Sequence, residues 1–285
     1  MKMHFTKMHG IGNDFVVINC VGRDCPPADQ KFGELSKHLC NRRFGIGADQ
    51  ILILYPSNVA DFRMNIFNAD GGEVEMCGNG IRCVAKYIWD RNLSDKTILS
   101  IETPAGVIKP ERAGDMVRVD MGEAVFEPEK IPVNIPSFKE RMILDYPLQA
   151  ADREFKITCV SMGNPHAVII VDDVSSFPVT HYGPLIESNP IFPRKTNVEF
   201  IRVLNRKEIK MRVWERGSGE TMACGTGASA VAVAVNLKGL TDRNVTVHLI
   251  GGDLSIEWAS NNHVYMTGPA TEVFEGTIEL STDYQ

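Results

Sequence analysis

The sequence has no long apolar run, no basic excess and no clustered metal-ligand spacing, and each absence removes a class of function. Without a run of about 18 apolar residues, no membrane-spanning helix is expected. The segment Met1-Lys2-Met3-His4-Phe5-Thr6-Lys7-Met8-His9-Gly10 lacks the apolar centre of a secretion signal, so a cytoplasmic location is expected. A formal net charge of −6 leaves no basic footprint for nucleic acid. The seven cysteines include no Cys-x2-Cys pair and no Cys/His cluster, so no metal site is expected. In a cytosolic chain they are expected to be reduced, serving catalysis or packing rather than a disulfide framework. Few βαβ alternations can be counted, which argues against a doubly wound sheet. What is present is a soluble globular composition over 285 residues, enough for one large domain or two ordinary ones.

Two stretches share one pattern. The first runs Met64-Asn65-Ile66-Phe67, Gly72-Glu73, Cys77-Gly78-Asn79-Gly80 and Val84-Ala85. The second runs Met211-Arg212-Val213-Trp214, Gly219-Glu220, Cys224-Gly225-Thr226-Gly227 and Val231-Ala232. They align without a gap, 147 residues apart from Cys77 to Cys224. Other matches follow in the same order. Gly12-Asn13 meets Gly163-Asn164, Gln50-Ile51 meets Asn197-Val198, Gly106 meets Gly252, and Val119-Asp120-Met121-Gly122 meets Tyr265-Met266-Thr267-Gly268. Two copies of one domain are expected, 1–124 plus 271–285 and 125–270, with the alternating tail Val273 to Leu280 returning to the first as an added strand. The proline-rich stretch Phe126 to Pro136 reads as a linker or surface crossing.

Short alternating or β-branched runs dominate: Val16–Ile18, Ile51–Tyr55, Phe62–Phe67, Ile98–Ile101, Met116–Met121, Ala167–Val171, Ile209–Trp214, Val245–Leu249 and Leu254–Trp258. After Cys77, the residues Ile81, Val84, Ala85 and Ile88 form a helical stripe. After Cys224, Ala228 to Val235 is apolar on nearly every face, with Gly239 as the C-cap signal. A helix apolar all round must be enclosed. The class is therefore α+β, with two pseudo-symmetric β-barrel-like domains, each wrapped around a central helix, and the active site in the cleft between them.

A cysteine at a helix start feels the positive end of the dipole, which favours the thiolate. The glycines beside it let a ligand approach, and the leading N–H groups suit a carboxylate. Those groups also stabilise the charge that builds on a carboxylate when the neighbouring carbon loses a proton. Two thiols close together cannot easily both be anionic, so one thiolate and one thiol form the resting pair. That pair meets the demand of amino-acid racemisation or epimerisation without a cofactor. The plainer alternative, two small buried hydrophobes, is the commonest fate of a free cysteine. The matched helix starts and glycines speak against it. Cys20, Cys25, Cys40, Cys83 and Cys159 lack such a setting and read as packing residues.

At these residues the sequence resembles the diaminopimelate epimerases. The blocks are His9-Gly10-Ile11-Gly12-Asn13-Asp14-Phe15; Asn68-Ala69-Asp70-Gly71 with Glu75 to Cys83; Gly163-Asn164-Pro165-His166; and Glu215-Arg216-Gly217 running to Gly227. The resemblance covers essentially the whole chain. It implies interconversion of LL- and meso-2,6-diaminopimelate in lysine and cell-wall precursor synthesis, with no cofactor. By position, Cys77 and Cys224 correspond to the acid/base thiols. Gly78, Asn79, Gly225 and Thr226 correspond to a carboxylate cradle. Asn13, Gln50, Asn68, Asn164, Asn197, Glu215 and Arg216 correspond to substrate contacts, and His166 with Glu215 to thiol-tuning groups. Arg216 suits a two-bond grip on the distal carboxylate. A homodimer is also implied, with Phe274 where the family often has a tyrosine supporting that contact.

Two other readings compete. A proline or hydroxyproline racemase shares the two-thiol logic, but a cyclic imino acid would leave Arg216 and the asparagines surplus. A thiol redox sensor would leave the carboxylate cradle without a use.

Overall fold

The computed structural model describes residues 2–22, 31–136 and 138–279. It divides into two compact units, Met1–Val119 with Gly268–Gln285, and Asp120–Thr267. The first holds β1 (Lys2–Gly10), β2 (Asn13–Asn19), α1 (Lys31–Leu39), β3 (Gln50–Tyr55), β4 (Phe62–Asn68), β5 (Glu73–Val74), α2 (Gly78–Asp90), β6 (Ile101–Thr103), β7 (Gly106–Ile108) and β8 (Glu111–Ala113). Strand β9 (Met116–Glu123) pairs with β8 and carries the chain across the boundary. The second unit holds β10 (Tyr146–Ala150), β11 (Arg153–Ser161), β12 (Pro165–Ile170), α3 (Val179–Glu187), β13 (Asn197–Asn205), β14 (Glu208–Glu215), β15 (Gly219–Thr221), α4 (Gly225–Leu237), β16 (Asn244–Leu249), β17 (Gly252–Trp258) and β18 (His263–Gly268). Strand β19 (Thr271–Glu279) pairs antiparallel with β1, placing Phe274 opposite Lys7.

One pairing pattern occurs twice. In the first unit the strands run β19-β1-β2-β3-β4-β6-β7, with β5 on β4. In the second they run from β10 through β11-β12-β13-β14-β16-β17 to β18, with β15 on β14. The steps β2/β3 and β4/β6 are parallel, and so are their counterparts β12/β13 and β14/β16. A parallel step needs a crossover long enough to return along the sheet, and a helix lies in each of these four connections. The βαβ crossovers are thus more numerous than the sequence reading counts. Helices α1 and α3 are short and carry Gly33, and Gly183 with Pro184, which weakens their sequence signal.

Each sheet packs around one helix. Helix α2 lies against β1, β2, β3 and β19, and α4 lies against β11, β12, β13, β16 and β17. The stripe Ile81, Val84, Ala85 and Ile88 is fully buried, and so is every residue of α4 from Ala228 to Val235. Burying each such Ile or Val stabilises by roughly 1.5–3 kcal/mol. Gly239 takes φ +70 just past the end of α4, the left-handed turn that ends a helix most readily at glycine. The expected barrel-like form is only approximate. Among the described residues each sheet is an open path that does not close on itself. The edges of the first are a three-residue β7 and a β19 whose side chains are mostly exposed, and those of the second are β10 and the three-residue β8.

Two local expectations change. The stretch Phe126 to Pro136 is not a surface linker. Ile131 and Val133 are buried with Ile143, Leu148 and Phe155 in the core of the second unit, because apolar residues between prolines still seek cover. Cys20, read as a reduced packing residue, is disulfide-bonded, since irregular cysteine spacing says little about which thiols meet. Cys25 lies outside the described residues.

Candidate active site: two cysteine helix starts

In the first unit, Cys77 is the N-cap of α2, with φ −138 and ψ 113. The Gly80 N–H donates to its Sγ at 3.4 Å, satisfying one of the leading donors of the helix. The sulfur lies 3.8 Å from Asn13 Oδ1, which also accepts from Asn79 Nδ2 at 3.1 Å. Arg82, wholly buried, donates to Asn79 Oδ1 at 2.8 Å and to Gly78 O at 3.1 Å. Arginine can only donate, so it fixes which way the Asn79 amide points. Asn13 is held in turn by Asp49, whose Oδ2 accepts from Asn13 Nδ2 at 2.8 Å. Gln50 Nε2 donates to Asn68 Oδ1 at 2.8 Å. The turn after Asn68 is pinned from α1, where Ser36 Oγ donates to Asn68 O at 2.6 Å.

In the second unit, Cys224 is the N-cap of α4, with φ −126 and ψ 111, and is 5% exposed. Its Sγ is 3.5 Å from Thr226 Oγ1, which accepts from Asn164 Nδ2 at 3.3 Å. Asn164 Oδ1 lies 2.9 Å from His166 Nε2, and His166 Nδ1 lies 2.6 Å from Glu199 Oε1. Asn197 Nδ2 donates to Pro165 O at 3.0 Å, and its Oδ1 accepts the Arg216 N–H at 2.9 Å. Thr221 Oγ1 donates to Glu215 Oε1. The Arg216 side chain donates to Arg194 O at 3.2 Å. Burial pushes the Cys224 thiol well above its ordinary value, and the nearby Glu215 and Glu199 push it further; Thr226 and the Gly227 N–H oppose this. Burial likewise raises the carboxyl of Glu215.

The family model for diaminopimelate epimerase matches residues 5–127 and 158–273. The chain belongs to the diaminopimelate epimerase family. It is 54% identical to the diaminopimelate epimerase of Moorella thermoacetica, covering 98% of this chain and 100% of that one. It is 48% identical to that of Methanococcus maripaludis, with the same coverage of 98% and 100%. Among solved structures, a PhzF-family phenazine biosynthesis protein from Bacillus anthracis has a TM-score of 0.71 at 16% identity, covering 98% of this chain and 100% of that chain. A hydroxyproline epimerase from Agrobacterium vitis, solved with trans-4-hydroxy-L-proline, has a TM-score of 0.69 at 16% identity, covering 97% and 92%. At those identities the two structures report a shared fold.

For this diaminopimelate epimerase-family chain, Cys77, Asn13 and Asn79 come together at one helix start. Cys224, Thr226, Asn164, His166 and Glu215 come together at the other. Gln50 and Asn68 form a pair of their own in the first unit, as Asn197 and the Arg216 backbone do in the second. Three residues at these sites escape the sequence reading. Glu199 is a charged residue in the apolar run of β13, which is a signal; Arg82 stands inside the quoted cysteine block; Glu187, at the end of α3, carries none.

Proposed function

We propose that this protein interconverts LL- and meso-2,6-diaminopimelate by a two-cysteine mechanism, as a cytoplasmic homodimer. One thiolate takes the α-proton, and the electron pair left on carbon delocalises into the adjacent carboxylate. The N–H groups at the helix starts, with Gly78, Asn79, Gly225 and Thr226, stabilise that charge. The other thiol returns a proton to the opposite face, so each turnover leaves the sulfurs with exchanged protonation and no net proton is consumed. Asn13, Gln50, Asn68, Asn164, Asn197, Glu215 and Arg216 bind the rest of the substrate, and His166 and Glu215 tune the Cys224 thiol.

The observation that carries this reading is the matched pair of N-cap cysteines, each followed by Gly-x-Gly. The test is proton exchange at the α-carbon of LL-diaminopimelate in D2O with purified protein. Deuterium entering together with formation of the meso isomer is expected. Turnover of hydroxyproline in preference to diaminopimelate would instead place the chain with the imino-acid racemases, and no α-exchange on either would remove the proposal.

A further inference from the structure

The duplication allows the surroundings of the two thiols to be compared position by position. At the spacing that relates Cys77 to Cys224, Glu199 takes the place of Leu52, Glu215 that of Asn68, and Ser229 that of Arg82. The structure places two of these exchanges, Leu52 with Glu199 and Arg82 with Ser229, at the helix starts. A Cβ added to Gly80 would meet Leu52 Cδ2 at 3.1 Å and Cys77 Cβ at 3.4 Å. One added to the matching Gly227 would meet Glu199 Oε1 at 2.8 Å and Cys224 Sγ at 3.3 Å. A methyl group in one copy is thus a carboxylate oxygen in the other. On the helices, Arg82 donates to Gly78 O at 3.1 Å, and Ser229 donates to the equivalent Gly225 O at 3.0 Å. The same carbonyl is satisfied in both, but only the first copy places a cation there.

We propose that Arg82 and Glu199 are positioning residues that fix the resting protonation of the thiol pair, with Cys77 as thiolate and Cys224 as thiol. The proposal rests on the two-thiol reading above. The groups facing Cys224 are Glu199 on β13 and Glu215 on β14, with Thr226 on its own helix; His166 on β12 stands behind Glu199, its Nδ1 2.6 Å from Glu199 Oε1. Two carboxyl groups stand beside that buried sulfur, and an anionic sulfur there is disfavoured. Around Cys77 stand, among others, Arg82 and Cys83 on its own helix and Asn13 from β2, with Asp49 behind Asn13. Burial lowers Arg82 to about 10, which still leaves it a cation at neutral pH. In a shielded site such a charge acts strongly on a sulfur nearby. Glu199 Oε2 has no hydrogen-bond partner among the described residues although Glu199 is fully buried. A buried carboxylate left half satisfied is costly, so packing alone does not account for it.

The test reads the ultraviolet absorbance of thiolate against pH in the substrate-free, full-length protein. Cys83 is pushed up to about 12 by burial and Cys159 is also pushed up strongly, so neither contributes near neutrality. The lowest-titrating thiolate signal is expected to vanish in Cys77→Ser and to survive in Cys224→Ser. In the Cys77→Ser background, Glu199→Gln is expected to bring the titration of Cys224 down by roughly one pH unit or more. Glutamine keeps the shape and an acceptor for His166, so a merely structural role would not move this readout. Arg82→Met is expected to raise the titration of Cys77 while Arg82→Lys spares it; should the methionine variant fail to fold, the Glu199 arm decides. A low signal that survives Cys77→Ser and vanishes in Cys224→Ser overturns the inference, as does a Cys224 titration indifferent to Glu199→Gln. None of these readouts needs turnover. Protein that epimerises normally with the opposite polarity sinks this inference alone, whereas absence of α-exchange sinks the two-thiol reading.

Discussion

Trp214 Nε1 donates to Glu187 Oε2 at 2.7 Å, so the last turn of α3 grips the strand that delivers Glu215 and Arg216. The other carboxylate oxygen accepts the Gly217 N–H at 3.0 Å, just beyond those two residues. The helix can come this close because Gly183 has no side chain: a Cβ there would stand 2.5 Å from the Trp214 ring. Glu187 therefore clamps the turn from both ends.

Removing that clamp by Glu187→Ala leaves an indole N–H and a backbone N–H without their acceptor. A stability loss of about 1–3 kcal/mol is expected in chemical denaturation. A rise in KM for diaminopimelate should accompany it, because Arg216 loses its support. Glu187→Gln retains one acceptor and should cost less. Burial raises the carboxyl, but the hydrogen bonds from Trp214, the Gly217 N–H and Lys195 outweigh it, so the group sits below its ordinary value. Its contribution is therefore present above that ordinary value and fades as pH falls. Equal stability of Glu187→Ala and the parent would show that the clamp contributes nothing.

A second prediction concerns acid stability. Asp14 accepts from Lys7 at 2.6 Å and from Arg42 at 2.9 and 2.7 Å. Burial alone would raise its carboxyl, yet the bonds and charges of Arg42 and Lys7 hold it at about 2, against an ordinary 3.8. A depressed carboxylate stabilises the fold above its unfolded value and loses that contribution as pH falls from about 4 towards 2. Arg42 is 58% exposed, so screening reduces the effect to about 1–2 kcal/mol. Asp14→Asn should show that loss at neutral pH, and the gap between parent and variant should close between pH 4 and 2, followed by thermal unfolding. A parent and variant with parallel acid limbs would contradict it.

The duplication was legible because its markers, glycines and cysteines, are tied to backbone shape and chemistry and sit at fixed spacing in both copies. The strands around Phe62, Ile209 and Leu254 are legible because alternation reports one buried face, and that around Ile51 because a short continuous apolar run marks a strand buried on both. Glu199 is not legible from the duplication: its partner is Leu52, and a repeat marks only the positions its two copies share. Arg82 stood in the motif without a role because arginine is rarely expected in a core. Glu187 depends on α3 reaching Trp214, a tertiary contact that no local pattern encodes. The sequence spacing likewise could not show that Ile131 and Val133 are core residues rather than part of a linker.

The last prediction separates the two N-cap thiols from a third one nearby. Cys83 lies inside α2, fully buried, and burial pushes it up to about 12, so it cannot serve as a base near neutrality. Cys83→Ala should leave a small void costing about 1 kcal/mol and spare epimerisation. Cys77→Ala loses the sulfur that accepts the Gly80 N–H, a cap also costing about 1 kcal/mol, and the variant should remain folded. At Cys224 the Gly227 N–H favours the sulfur without the full geometry of a cap hydrogen bond, so Cys224→Ala should disturb its helix less. Both N-cap variants nevertheless lose a proton carrier for one face of the carbon, and a fall in epimerisation of about a hundredfold to ten-thousandfold is expected for each. Circular dichroism with an assay of meso-isomer formation checks the three together. Near-normal activity in either Cys77→Ala or Cys224→Ala would rule out the two-thiol mechanism, and an equal chemical loss in Cys83→Ala would show that helix packing, not the N-cap sulfur, had been measured.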